Sequence, residues 1–112
     1  MVKRSLQPRP VVDDALRITG QLIRTGRGDR GWSAGELAGR AGVSERTVLA
    51  VESGAPGTAF ATVLELLVLT GSAPFGIEDP VEMARLRRRG EERLALLPSR
   101  VRRRSVDVDD DF

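Results

Sequence analysis

Residues 32–54 read WSAGELAGRAGVSERTVLAVESG, and the order of capping, small and apolar residues in this stretch predicts two short helices clamped at an angle. Ser33 followed by Glu36 is a capping-box pair: the hydroxyl accepts from the third backbone N–H while the carboxylate reaches back to the cap. The helix that starts there has Leu37, Ala38 and Ala41 as its apolar face. It ends at Gly42, where the reversal needs a left-handed backbone. Ser44 opens a second helix at once, with Val48 and Val51 on its inner side. Ala38 is small because the second helix crosses there, and Val43 plugs the angle between the two.

Working outward, residues 1–10 (MVKRSLQPRP) hold two prolines and three cations without periodicity. They read as a flexible basic arm, either a passive tail or a second contact with a polyanion. From Val11 to about Arg27, Val12, Ala15, Leu16, Leu22 and Ile23 recur near helical spacing and predict a first helix, which Gly20, Gly26 and Gly28 weaken. Beyond the hairpin, Gly54, Pro56 and Gly57 break the chain. AFATVLELLVLTG then predicts a helix ending near Gly71, apolar around most of its circumference and so buried on more than one side, within one core or in a dimer interface. A loop with Pro74 and Gly76 follows. Asp79 as cap and Pro80 as first helical residue start a fifth helix to about Leu97, with Arg87/Glu91 and Arg88/Glu92 at ion-pair spacing and Gly90 a point of bending or fraying.

The expected architecture is therefore all-α: one five-helix domain over residues 11–97, between a flexible arm (1–10) and a flexible basic and acidic tail (98–112). At 112 residues and 40% hydrophobic, one modest core is within reach. Four of the sixteen acids are Asp107, Asp109, Asp110 and Asp111, so residues 1–106 carry eighteen cations against twelve acids, a net +6. Seventeen of the eighteen cations are Arg, whose planar fork suits phosphate and guanine edges, although codon bias explains such an excess equally well. The absence of Cys excludes disulfides and thiolate metal sites. With no apolar run of membrane-spanning or signal-peptide type, the expected location is the cytoplasm.

A hairpin so anchored projects the start of its second helix outward, far enough to enter a DNA major groove. The run from Ser33 to Gly54 resembles the Cro/phage-repressor, or XRE-type, helix-turn-helix family, whose pattern S-x-x-E-L-A-x-x-x-G-V-S-x-x-T-[IV]-x-x-[IV]-E-x-G it follows. The resemblance implies a lambda-repressor-like domain that dimerises and places two recognition helices in successive major grooves, about 34–36 Å apart, on a palindromic double-stranded operator. Carried over position by position, base reading falls on Glu45, Arg46, Thr47 and Ala50. Ser33 and Ser44 fall where phosphate contacts are usual, and Arg40 joins them. Arg46 can bond guanine O6 and N7 together, while Glu45 either accepts from cytosine N4 or is a solvated helix-start acid. Ala34 replaces the Gln that many members place there, and Ala50 offers only a methyl. Readout is thus expected to be thinner, with more affinity from salt-sensitive Arg–phosphate attraction. Glu52 is expected to brace the fold.

The flanks GQLIRTGRGDRGWS and ESGAPGTAFATVLELLVLTG, with the end LPSRVRRRSVDVDDDF, look like the HipB-like antitoxins. That implies an autorepressor that also holds a HipA-like kinase toxin. In the tail, Arg102, Arg103, Arg104, Asp109, Asp110, Asp111 and Phe112 are too polar to fold alone and either order on such a partner or stay solvated. A rival from another class is a helical protein-interaction module with little DNA binding. An enzyme is not expected: with no His, Cys or Tyr, the common nucleophiles and general bases are missing. No metal-spaced cluster or phosphate-cradling glycine loop implies a cofactor.

Overall fold

The computed structural model describes residues 7–99. Among them the chain is all-α, with five α-helices and no strand: α1 (Pro10–Asp29), α2 (Ala34–Ala41), α3 (Glu45–Glu52), α4 (Phe60–Leu69) and α5 (Pro80–Ala95), with a single 3-10 turn at Pro74–Gly76. None of these helices is long and apolar enough to cross a membrane. The chain divides into two units, residues 1–77 and 78–112.

In the first unit the capping chemistry sets the helix boundaries. Ser33 Oγ accepts from the Glu36 N–H at 3.0 Å and the Glu36 carboxylate accepts from the Ser33 N–H at 2.7 Å, so the capping box is closed in both directions. Gly42 sits at φ 72° and ends α2 in the left-handed conformation, which a side chain would oppose. Ser44 caps α3 by accepting from the Thr47 N–H at 3.1 Å.

The core is small. Ile23, Ala34, Leu37, Ala38, Val48, Val51, Val63 and Leu66 are buried, with Trp32, Ala41, Val43, Leu67 and Leu69 packed around them. α2 packs on both α3 and α4, and α1 packs on α3 and α4. Ala38, 4% exposed, occupies a buried position in the hairpin as its size suggested.

The expected first helix forms as α1, but its inner face is not the set of apolar residues whose spacing predicted it. The inner stripe of α1 is Leu16, Gly20, Ile23 and Arg27, of which the last three are buried, whereas Val12 and Leu22 are about half exposed. The glycines that weaken the helix in sequence are where its neighbours press in. A Cβ on Gly20 would strike the Val51 and Glu52 carbonyl oxygens, and one on Gly26 would strike the Thr70 carbonyl and Cβ. Within the single chain, the core buries α4 on one side, which narrows the expected burial to that face and leaves a dimer interface as the remaining alternative for the other. Val63 and Leu66 enter the core, but Phe60 is 71% and Val68 55% exposed, because α1 and α2 cover a single face of it.

In the second unit, Asp79 Oδ1 caps α5 by accepting from the Val81 N–H at 3.0 Å, with Pro80 in the first helical position. The helix runs unbroken through Gly90 and ends at Ala95, two residues short of the expected limit. Arg87 and Glu91 pair at 2.8 Å; Arg88 and Glu92 form no ion pair. No residue of α5 is buried. The expected tail residues Arg102, Arg103, Arg104, Asp109, Asp110, Asp111 and Phe112 lie outside the described residues, as does most of the expected arm; Pro10 already belongs to α1.

Candidate nucleic-acid interface

The start of α3 is built from its underside. Val48 and Val51 are buried, and this apolar face, which begins about one turn after Ser44, leaves the opposite face of the first turn outside. Glu45 and Arg46 are exposed and Thr47 is half-buried. Thr47 Oγ1 and Ser44 Oγ share a hydrogen bond of 2.9 Å, so one of the two hydroxyl protons remains free to donate outward. Ala50, one turn on, is half-buried. Ser33 and Arg40 are exposed at opposite ends of α2. Ala34 is 8% exposed and belongs to the core.

Glu45 does not simply extend into solvent. Its Oε1 lies 3.5 Å from the position that a Cβ on Gly35 would take, so the carboxylate leans over the first turn of α2, where backbone N–H dipoles favour negative charge. Gly35 leaves the room for it, a spatial relation that no spacing rule in the sequence announces.

The hairpin angle is locked by an ion pair. Arg27 Nε donates to Glu52 Oε2 at 2.7 Å and Nη2 to Oε1 at 3.0 Å, while Nη1 donates to the Trp32 carbonyl at 3.0 Å. The side chains are only 10% and 6% exposed. The hydrogen bonds to Glu52 raise the Arg27 pKa; burial opposes this and the neighbouring carboxylate charge adds to it. One guanidinium thus ties α1, the loop before α2 and the last turn of α3. The bracing role expected of Glu52 is what its contacts show. Arg27 was missed, hidden among sixteen other arginines, and its only signal is the i+4 step from Ile23 along the inner stripe of α1.

A second arginine cluster surrounds Trp32. The Arg40 guanidinium carbon lies 4.2 Å from the indole centroid and that of Arg30 5.7 Å. Arg30 Nη1 also donates to the Thr70 carbonyl at 3.0 Å and the Gly26 carbonyl at 3.4 Å. The Glu36 carboxyl is held below its ordinary pKa, first by the Ser33 backbone N–H and then by the Ser33 side chain, with Arg40 a lesser contributor.

The fold and the exposed first turn of α3 define a helix-turn-helix domain. Among solved structures the chain is similar to that of the hypothetical transcription factor NHTF from Neisseria, with 27% identity over 75% of this chain and 99% of that one and a TM-score of 0.51. No protein-family model and no curated protein matches the chain.

Proposed function

We propose that this chain is a sequence-specific DNA-binding transcription regulator that reads a major groove with Glu45, Arg46, Thr47 and Ala50 and grips flanking phosphates through Ser33, Ser44 and Arg40. The observation that carries the reading is the exposed pair Glu45 and Arg46 on the first turn of a helix whose other face is buried at Val48 and Val51. The similar Neisseria protein, described as a hypothetical transcription factor, supports the same class. The XRE-type pattern from Ser33 to Gly54 favours a homodimer that represses from a palindromic operator. The likeness of the flanks to HipB-like antitoxins favours autoregulation within a toxin–antitoxin pair, with a HipA-like kinase as protein partner.

The test is selection of bound fragments from the DNA upstream of the chain's own coding region, with Arg46→Ala alongside. The variant is expected to lose about 1–3 kcal/mol of specific binding, roughly 5- to 150-fold, with an unchanged melting temperature. Equal affinity of the wild type for selected and random duplexes overturns sequence-specific regulation. Removing residues 99–112 separates the partner role: operator binding is retained while kinase capture is lost.

A helical protein-interaction module remains the second reading, favoured by the open apolar side of α4 at Phe60 and Val68. Its mark is partner binding insensitive to salt, with no retardation of any duplex.

A further inference from the structure

We propose that Trp32 is a positioning residue of this interface: its indole face holds the Arg40 guanidinium, unpaired with any carboxylate of the described residues, where it can meet a nucleic-acid phosphate. The proposal rests on the DNA-binding reading above and adds to it a residue that the helix-turn-helix pattern does not contain.

Arg40 follows Glu36 by four residues, in the order that favours an ion pair on a helix. That pair does not form. The Glu36 carboxylate is turned back to the Ser33 N–H at 2.7 Å, and Arg40 makes no ion pair among the described residues. It lies instead 4.2 Å from the Trp32 ring centroid. An aromatic face attracts a cation without neutralising it, and the N–H groups at the edge of the guanidinium stay free to donate.

The residue that carries the ring is held in place. The Trp32 backbone N–H donates to the Arg27 carbonyl at 3.1 Å, its backbone carbonyl accepts from the Arg27 side chain, and the partly buried indole packs on the core. Arg30, the other cation near the ring, is anchored through Nη1 on the Gly26 and Thr70 carbonyls and lies farther from the ring, at 5.7 Å, so Arg40 is the guanidinium that the indole face holds. Next to Trp32, the exposed Ser33 hydroxyl is engaged with Glu36, its oxygen accepting from the Glu36 backbone N–H. A charged fork held over an aromatic face with its edge donors free suits a phosphodiester oxygen.

Two measurements test this together. In the free protein, nuclear magnetic resonance is expected to show the Arg40 side-chain protons shifted upfield by the ring, a shift lost in Trp32→Leu and kept in Trp32→Phe. In duplex titrations across salt concentrations, Arg40→Ala and Trp32→Leu are each expected to weaken binding several-fold and to lower the log–log salt slope by about 0.9, one phosphate contact. Trp32→Leu is expected to add nothing in the Arg40→Ala background, and Trp32→Phe to restore most of the affinity. Melting temperatures monitor the fold in each variant. Random-coil Arg40 shifts, or an undiminished Trp32→Leu effect in the Arg40→Ala background, overturn the proposal alone. A wild type that shows the ring-shifted guanidinium yet binds no duplex overturns the DNA reading and the proposal with it.

Discussion

Arg27 and Glu52 are two charges that a core of eight buried apolar side chains tolerates only as a pair. The two share a pair of hydrogen bonds, and a third guanidinium N–H goes to the Trp32 carbonyl. Removing one partner strands the other in a poorly hydrated site. Arg27→Met is expected to destabilise the fold by about 3 kcal/mol, at the lower end for buried pairs because the arginine keeps some exposure, and a urea midpoint measures it. Arg27→Met with Glu52→Leu is expected to recover most of that loss, since no uncompensated charge remains. At this scale the sequence was half legible. Glu52 follows the buried Val51 in a recognisable pattern, so its bracing role could be anticipated, whereas its partner lies 25 residues away and only the crossing of α1 over α3 brings it near.

Among the elements, α2 and α3 were legible because their limits are written in short-range hydrogen-bond chemistry: Ser33 with Glu36, Gly42, and Ser44. The inner face of α1 was not, because a helix crossing made of backbone leaves no apolar side chain to count. Gly26 and Gly28 show the difference between a glycine that is needed and one that is spare. A Cβ at residue 26 meets the Thr70 backbone, whereas one at residue 28 meets nothing within 4 Å. Gly26→Ala is expected to cost about 1–3 kcal/mol through overpacking, while Gly28→Ala is expected to gain about 0.5–1 kcal/mol through helix propensity. Thermal unfolding of the two variants checks the signs. The exposure of α4 was illegible for a related reason: a sequence as apolar as FATVLELLVL records how much could be buried, and the number of neighbouring helices decides how much is.

For the molecule as a whole, charge is distributed less generously than the abundance of arginine suggests. Residues 7–77 carry seven arginines against seven acids, residues 78–99 five against five, and residues 100–112 four against four. The net charge of +2 therefore belongs to Lys3 and Arg4. Long-range attraction to a polyanion depends on net charge, whereas attraction at contact depends on local placement. Deleting residues 1–6 is expected to lower the salt slope of non-specific duplex binding by up to about 2, while leaving the relative effect of Arg46→Ala unchanged. Titrations of the two proteins over a range of salt concentrations decide it.

The bare backbone contact at Gly20 carries a final consequence. Because α1 at Gly20 meets the backbone of Val51 and Glu52 with no side chain of its own between them, and the Arg27–Glu52 pair ties the same two helices, a tilt of α3 is expected to require movement of the long helix behind it. Under the proposed DNA-binding role, a duplex whose groove is too narrow or too straight is expected to find little give on the protein side. Discrimination would then extend to how readily a site bends, including base pairs that no side chain reaches.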